Sequence, residues 1–297
     1  MASGKLIGSV SELWRFPVKS MKGERLDEVE VGRSGVLGDR AFALIDSTTG
    51  KVISAKSVRL FPNLMACRAT FTRSPEPGRE LPPVRISFPD GTAVTSDSAG
   101  VDRVLSDGLG REVTLAQMAP DDFTIDQYVP DIEGLDPAGR RDEFIEQKLG
   151  SALFAEMGVQ SPVAKGSFLD VFPFSIMTTS TLESLGQLQP ASRFDQRRFR
   201  MNVIVDTDGP GFPENNWINR ELEIGADARF MITMPDPRCV MTTLAQDDLP
   251  KDNEILKTLA RHNRIQVGDL GKLPCAGVYA VLASAGTIRI GDMVRLS

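Results

Sequence analysis

The residues with the clearest chemical potential surround one cysteine, in the segment 234–243 (Met-Pro-Asp-Pro-Arg-Cys-Val-Met-Thr-Thr). Pro235 and Pro237 fix the backbone and remove two hydrogen-bond donors just before the thiol. Arg238 places a permanent positive charge beside Cys239, and a neighbouring cation favours the thiolate form of a cysteine. A cysteine on such a rigid segment is typical of a metal ligand or a nucleophile. The alternative is a small buried apolar residue, which is what most free cysteines are.

A second group of polar side chains recurs where predicted strands begin or end. Lysine, serine, arginine and asparagine in such positions are the groups that hold a phosphate and its polar substituents. The candidates are Lys19, Ser20, Arg40, Arg200 and Asn202, together with Arg238. They indicate an anionic ligand, although surface lysines and arginines are ordinarily solvated. Taken with Cys239, they favour a phosphate-bearing cofactor whose metal is held by one thiolate.

The scarcity of other metal-binding residues excludes several chemistries. The chain has one histidine, His262, and three scattered cysteines, Cys67, Cys239 and Cys275. Within one chain these cannot build a histidine-rich zinc or di-iron site, a haem held by two histidines, or an iron–sulfur cluster. We expect His262 at the surface, Cys67 in the core and Cys275 in a loop without a role. The odd cysteine count without a CxxC motif indicates a reducing compartment.

Length and composition indicate a globular protein with room for about two domains. The 297 residues are 41% apolar and 25% charged, with a net charge of −6. No basic patch favours nucleic-acid binding, and no apolar run approaches the length of a membrane span. The first ten residues resemble neither a signal peptide nor a transit peptide. These features predict a cytoplasmic protein.

The elements that must position these side chains are mostly short strands. Runs rich in β-branched and aromatic residues, bounded by turn formers, predict strands in both halves of the chain. The predicted strands are 10–16, 28–31, 41–46, 52–54, 65–72, 84–88, 92–95, 174–178, 201–206, 221–224, 229–234, 277–283 and 287–290. Helices are predicted within 97–108 and over 181–188 and 253–262. The pattern predicts a β-rich α+β protein with barrel-like domains rather than a doubly wound sheet.

An acidic segment separates the two halves. Nine acidic residues against two arginines lie between Asp121 and Glu146, so this stretch accounts for the negative charge of the chain. It predicts a solvated connector that enters a helix near Arg140; a docking surface for a basic partner is the alternative. The residues expected on the inner side of that helix are Phe144, Ile145, Leu149, Leu153 and Met157. The predicted division is 5–120 for an N-terminal β-rich domain, 121–160 for the connector and helix, and 161–297 for a second barrel domain.

Five ordered motifs together resemble one family. They are Phe-Pro-Val-Lys-Ser-Met-Lys-Gly at 16–23, Gly-Asp-Arg at 38–40, Arg-Met-Asn at 200–202, Pro-Arg-Cys-Val-Met-Thr-Thr at 237–243, and a closing pair at 277–280 and 286–292. In this order they resemble the MOSC family of molybdenum-cofactor proteins, specifically its amidoxime-reducing branch. The resemblance spans nearly the whole chain. It implies an N-terminal MOSC β-barrel-like domain followed by a MOSC β-barrel.

The resemblance also implies a cofactor and a set of site residues. Cys239 would ligate the molybdenum of a Mo-molybdopterin cofactor. The residues that would hold the pterin and its phosphate are Lys19, Ser20, Arg40, Arg200, Asn202 and Arg238. Val171 and Phe172 stand where relatives have Ser or Thr before the residue matching Pro173, and Pro237 stands where Ser is common, so hydroxyl contacts are lost there. Asp236 is an uncommon neighbour, either a solvated turn residue or a local proton source.

The activity implied by the resemblance is the reduction of N-hydroxylated compounds, such as amidoximes and hydroxylamines, by two-electron removal of oxygen. Electrons would come from a partner protein, either a cytochrome b5-type carrier with its reductase or a flavin reductase. The alternative is a molybdenum-cofactor binding or carrier module without turnover, like the MOSC portion of cofactor sulfurases. A third reading is a metal-free protein that uses the anion site for another phosphate ligand. Loss of Cys239 discriminates the first two, because only the enzyme needs its thiolate.

Overall fold

The computed structural model describes residues 4–297. The strands are β1 (Lys5–Arg15), β2 (Glu24–Leu26), β3 (Glu28–Gly32), β4 (Gly35–Val36), β5 (Ala43–Asp46), β6 (Arg68–Phe71), β7 (Val84–Ser87), β8 (Ala93–Thr95), β9 (Val113–Ala116), β10 (Thr124–Val129), β11 (Glu143–Lys148), β12 (Phe174–Thr178), β13 (Val203–Asp206), β14 (Glu221–Ile224), β15 (Ala228–Pro237), β16 (Arg264–Gln266), β17 (Lys272–Ser284), β18 (Gly286–Arg289) and β19 (Met293–Leu296). The α-helices are α1 (Val101–Leu109), α2 (Gly150–Glu156), α3 (Thr179–Leu188) and α4 (Glu254–His262).

Seven of these strands form a closed barrel, which confirms the predicted β-rich class. They run in the order β12, β13, β1, β19, β14, β15, β17, and β17 pairs back to β12. Only the β12–β13 pair is parallel. Alternate side chains such as Val203, Phe230 and Val278 point inward and are fully buried, as the period of a strand requires. Each of these seven strands is therefore paired on both sides, and β2 and β16 pair with β1 and β17 outside the ring.

The first strand of the chain is part of this barrel. Leu13 of β1 lies opposite Val203 of β13, and Ser9 lies opposite Met293 of β19. Strand β3 likewise pairs with β18 from the far end of the chain. The amino-terminal and carboxyl-terminal parts of the chain are therefore joined by hydrogen-bonded strands.

A second core lies beside the barrel. The small sheets β5–β9 and β6–β7–β8, with helix α1, pack around Leu44, Met65, Ile86 and Leu105, which are all buried. Cys67 is buried in the same core, as predicted. The segment before it departs from the prediction: residues Leu64–Ala66 form a 3-10 helix, and strand β6 begins only at Arg68.

The prediction of a helix that begins near Arg140 is wrong. Residues Glu143–Lys148 form strand β11, which pairs antiparallel with β10, and helix α2 begins only at Gly150. The apolar spacing was misleading, because Phe144 and Met157 are 39% and 62% exposed. Pairing with β10 satisfies the backbone of β11, and the positive φ of Gly150 (+56°) separates strand from helix.

The acidic segment is therefore a hairpin with much of its charge paired. Lys51 pairs with both Asp126 and Glu146, on β10 and β11 respectively. Further ion pairs join its acidic residues to basic neighbours: Asp121 to Lys165, Asp122 to Lys148, Asp131 to Arg141, Asp136 to Arg140 and Asp142 to Arg59. Seven of the nine acidic side chains thus have a basic partner within the chain, and a docking role for the segment remains a prediction.

Two smaller predictions also fail. Residues 52–54 form no strand, and Val52 makes only an isolated bridge to Ile45. Cys275 lies on strand β17 and is fully buried, whereas it was predicted in a loop.

Other predictions are confirmed. Strands β12 and β14 match their predicted limits, and His262 is exposed at the end of α4, as predicted. Within residues 4–297, none of the helices combines the length and the apolarity needed to cross a bilayer.

Candidate functional site

One large cavity collects the predicted site residues. It has a volume of about 940 Å³ and lies between one end of the barrel and the β10–β11 hairpin. The predicted residues that line it are Lys19, Ser20, Arg40, Arg200, Asn202, Arg238 and Cys239. They come from segments far apart in the sequence, and the pairing of β1 with the carboxyl-terminal strands brings those segments together.

Cys239 carries the accessible thiol of this cavity. It follows the end of β15 and caps the 3-10 helix Val240–Thr243, where its carbonyl accepts a hydrogen bond from the Thr242 hydroxyl (3.0 Å). Its side chain is half-buried, whereas Cys67 and Cys275 are fully buried. Burial raises the pKa of the Cys67 thiol to about 11 and that of the Cys275 thiol to about 12. Cys239 is thus the cysteine available to a metal or a substrate.

Three of the cavity residues adopt a backbone conformation that side chains ordinarily avoid. Ser20, Arg40 and Arg200 have φ values of +66°, +45° and +56°. Each is held by specific bonds: the Ser20 hydroxyl accepts from Ala55 N (3.0 Å), Arg40 Nη2 donates to the Arg200 carbonyl (3.0 Å), and Arg200 Nη1 donates to the Met21 carbonyl (2.6 Å). Such strain costs about 1–3 kcal/mol per residue and concentrates at functional sites.

Asp39 organises one wall of the site. Its carboxylate accepts hydrogen bonds from Phe16 N (2.7 Å) and Asn202 Nδ2 (3.0 Å) and pairs with Arg40. The side-chain oxygen of Asn202, Oδ1, in turn accepts from Ser175 N (3.2 Å). Asn202 is therefore fixed by internal bonds, and its orientation toward the cavity is set before any ligand binds.

Sequence analysis did not identify two charged residues of the cavity, Lys56 and Asp170. Lys19 and Lys56 share Asp170: Lys56 Nζ lies 2.8 Å from one carboxylate oxygen, and Lys19 pairs with the other. Burial disfavours the charge of Asp170, but the two lysines hold its pKa well below its ordinary value. Burial lowers the pKa of Lys19. For Lys56 burial also opposes the charge, but Asp170 and Cys239 outweigh it and raise the pKa. No motif surrounds Lys56 or Asp170, so only the fold identifies them.

One wall of the cavity is aromatic. Val171 and Phe172 both line the cavity. The Phe172 ring stacks on Tyr279, with 5.5 Å between centroids and 28° between planes, and Phe154 meets Phe172 edge-on at 6.0 Å. The rings of Phe172 and Tyr279 therefore give the cavity a flat, largely apolar surface.

The electrostatics of the cavity favour an anion. Its lining has an excess of two positive charges. The eight basic residues are Lys19, Arg40, Lys56, Arg140, Lys148, Arg198, Arg200 and Arg238, and the six acidic residues are Asp136, Glu146, Glu156, Asp170, Asp236 and Asp269. Burial lowers the pKa of Arg200 to about 9, with neighbouring Arg40 acting in the same direction, so a bound anion would relieve both effects. Arg238 Nε is buried without a hydrogen-bond partner in the part of the chain that the structure describes.

The Cys239 thiol and the neighbouring cations fit a metal whose other ligands come from its cofactor. Among residues 4–297, no three His, Cys, Asp or Glu side chains converge as an ion-binding cluster. A single accessible thiol beside buried cations matches a phosphate-bearing cofactor whose metal already carries sulfur ligands. The residues present thus fit a molybdenum–pterin group.

Comparison with known proteins agrees with this geometry. Residues 7–107 match the model of the MOSC N-terminal beta barrel domain, and residues 164–295 match that of the MOSC domain. The chain is 27% identical to mitochondrial amidoxime-reducing component 1 of Homo sapiens, over 98% of this chain and 83% of that protein. It is 26% identical to component 2 of Homo sapiens, over 97% and 83%. The crystal structure of the YUAD protein from Bacillus subtilis aligns over 97% of this chain and 94% of that one, with a TM-score of 0.42 and 10% identity.

Proposed function

This chain is a MOSC-domain protein, and from that premise we propose that it is a molybdenum-cofactor-dependent reductase of N-hydroxylated compounds. The observation that carries the proposal is the half-buried Cys239 thiol at the edge of a cavity lined by buried cations. The relatives named as amidoxime-reducing components support the choice of reaction. Amidoximes and hydroxylamines are the proposed substrates.

The chain would hold the cofactor through three kinds of contact. Cys239 would ligate the metal, and Lys19, Lys56, Arg40 and Arg200 would bind the phosphate and balance its charge. Ser20, Asn202 and Arg238 would contact the pterin. When bound, the molybdenum cofactor supplies the two-electron redox chemistry that removes oxygen from nitrogen.

The remaining residues of the cavity would orient the substrate and exclude water. The stacked rings of Phe172 and Tyr279 offer a face for a planar N-hydroxy group and its substituent. The β10–β11 hairpin covers one side, with Tyr128, Val129 and Ile145 lining the cavity. Excluding water there strengthens each electrostatic contact of the site.

Electrons would reach the site from another protein. A cytochrome b5-type carrier with its reductase, or a flavin reductase, fits a reaction that consumes two electrons per turnover. We place this reaction in the cytoplasm as part of the proposal. A cofactor-binding or carrier role without turnover is the second candidate, because the same cations would hold the pterin phosphate in either case.

The proposal is tested by producing the chain in a host that makes the cofactor and by measuring anaerobic reduction of benzamidoxime with a dithionite-reduced dye. We expect turnover by the wild type and loss on the order of 100-fold or more in Cys239→Ser, because a metal ligand is removed. Cys67→Ala is the matched control, since that thiol lies in the second core and does not line the cavity. Wild-type protein that holds its cofactor but reduces no N-hydroxy compound would contradict the proposal. Cofactor retained by Cys239→Ser with turnover in neither protein would favour the carrier.

A further inference from the structure

An irregularity in the barrel lies beside a carboxylic acid of the cavity. Strand β15 pairs with β17 so that Met234 lies opposite Tyr279, but the register shifts between Pro235 and Pro237. The two prolines cannot donate to the ladder and are tolerated at such an irregularity. Pro235 lies opposite Val278 and Pro237 opposite Cys275, so the extra residue of this bulge belongs to β17. Asp236 lies on β15 between the two prolines, lines the cavity and is 2% exposed.

Asp236 is bonded on one side and open on the other. One carboxylate oxygen, Oδ2, pairs with Arg238 Nη1, and Arg238 Nη2 donates to the Phe199 carbonyl. The other oxygen, Oδ1, is buried without a hydrogen-bond partner in the described part of the chain. A buried charged oxygen without a partner is costly, and this cost favours a proton on the carboxyl group.

Tyr279 lines the cavity together with this carboxyl group. It lies opposite Met234, two residues before Asp236, across the β15–β17 pair, and its ring packs against Phe172. Burial and the neighbouring Asp236 raise the pKa of Tyr279 well above its ordinary value, so the phenol keeps its proton and can pass one on only when it receives another. The exposed His262 does not line the cavity, so a histidine is not the proton carrier there.

The charged and titratable groups that face Asp236 are Arg238, Tyr279, Asp170, Lys56 and Cys275. Burial raises the pKa of Asp236 to about 6, although Arg238 acts in the opposite direction. Negative charge added to the cavity raises the pKa of a nearby carboxyl group further, so electron arrival would draw a proton onto Asp236.

We propose that Asp236 and Tyr279 form the proton relay of this cavity, with Arg238 as the positioning residue. The relay rests on the proposed reductase function. For an amidoxime, two electrons from the donor protein and two protons break the N–O bond and release the oxygen as water. The Tyr279 hydroxyl gives one proton to the leaving hydroxyl group and takes the proton of Asp236, which water then reprotonates. The second proton comes from water and ends on the nitrogen, so the amidoxime becomes an amidine.

The first test needs no turnover. Infrared difference spectra of the cofactor-free protein, recorded across pH, report the C=O stretch of a protonated carboxyl group. We expect a band that disappears as the pH rises through about 6 and that is absent from Asp236→Asn. Tyr279→Phe should keep the band, because Asp236 is still present and buried. A spectrum in which Asp236→Asn removes no titrating band near that pH overturns the relay.

The second test uses cofactor-loaded protein with equal molybdenum content. The wild-type rate of benzamidoxime reduction should fall as the pH rises through the pKa of Asp236, because the protonated acid is the active form. Asp236→Asn should lose this pH dependence and on the order of 100-fold in rate, and Tyr279→Phe should lose a similar factor. Asp269→Asn is the matched control, because Asp269 is an exposed carboxylate at the edge of the same cavity.

Failure of the proton relay and failure of the reductase function give different results. Active wild-type protein with an unchanged rate and pH profile in Asp236→Asn overturns the relay and leaves the reductase standing. Loaded wild-type protein that reduces no N-hydroxy compound at any pH overturns the reductase, and the relay with it. Circular dichroism of both variants shows whether each keeps the wild-type fold.

Discussion

At the scale of single residues, Asp170 pairs with the ammonium groups of two buried lysines at the cavity. Lys19 and Lys56 both pair with its carboxylate, and Lys19 also donates to the Phe168 carbonyl (2.8 Å). The lysines hold the pKa of Asp170 below its ordinary value against the effect of burial. Its stabilising contribution is therefore present above the pKa of about 3.9 that a free Asp has, and it is lost as the pH falls below that value.

Replacing Asp170 should destabilise the cofactor-free protein in a way that an anion relieves. We expect Asp170→Asn to lower the free energy of unfolding at neutral pH by about 2 kcal/mol, because two buried cations lose a charged partner. Urea unfolding with and without inorganic phosphate measures the loss and its partial recovery. Asp131→Asn is the control, because its ion pair with Arg141 is exposed and contributes little. Equal stability of the two variants would contradict this account of the cavity.

Sequence motifs identified the side chains of the site better than its backbone. The seven residues chosen for an anion and a thiol all line one cavity, and their roles toward a cofactor remain a prediction. Motifs could not reveal that Ser20, Arg40 and Arg200 adopt positive φ, because that conformation is imposed by distant hydrogen bonds. Lys56 was missed for a similar reason, since only folding brings it to Asp170.

At the scale of elements, barrel closure depends on the meeting of β12 with β17. Gly277 lies at this junction with a φ of +80°. A Cβ atom there would lie 2.7 Å from the Ile176 carbonyl oxygen and 2.3 Å from the end of the Met201 side chain. Tyr279 follows two residues later, so the same junction positions a wall of the cavity.

Substitution of Gly277 should therefore lower the free energy of unfolding by more than the strain of its positive φ alone. We expect Gly277→Ala to lower the free energy of unfolding by about 2 kcal/mol or more, from the strained φ together with the clash. Gly91→Ala is the matched control: Gly91 also has a positive φ (+91°), but no atom lies within 4 Å of its added Cβ. It should cost about 1 kcal/mol. Equal losses in the two variants, measured by denaturant unfolding, would show that close packing at the junction is unimportant.

Elements with a clear period were predictable, and those defined by pairing were not. Strand β12 is buried throughout and matches its predicted limits, because burial on both faces favours a short run rich in apolar residues, here Phe174, Ile176 and Met177. Strand β11 alternates weakly and carries two glutamates, so its sequence fitted a helix equally well. Its partner β10 decides the outcome, and no local pattern reports a partner.

At the scale of the whole molecule, the two halves of the chain complete each other. The barrel formed by carboxyl-terminal strands takes β1 between β13 and β19, and β3 pairs with β18. The cavity draws Lys19 and Arg40 from the first half and Arg200 and Cys239 from the second. The domain limits 5–120, 121–160 and 161–297 remain a prediction. Because strands of the two halves pair with each other, fragments cut at these limits test the prediction.

A fragment of residues 161–297 should not fold alone. Without β1, strands β13 and β19 would each expose an unpaired edge and part of the barrel core. We expect the isolated fragment to be unfolded or aggregated by circular dichroism and gel filtration. Production together with residues 1–160 should restore a soluble complex with the far-ultraviolet spectrum of the intact chain. A stable, monomeric 161–297 fragment would contradict the structural role assigned to β1.

The central claim is that Cys239 is the protein's own ligand to a molybdenum cofactor in this cavity. X-ray absorption at the molybdenum edge tests it most directly, with wild type and Cys239→Ser purified from the same cofactor-producing host. We predict that the wild-type metal has one more sulfur neighbour than the metal in any Cys239→Ser protein that retains molybdenum. An unchanged sulfur count in a fully loaded Cys239→Ser protein would contradict the claim.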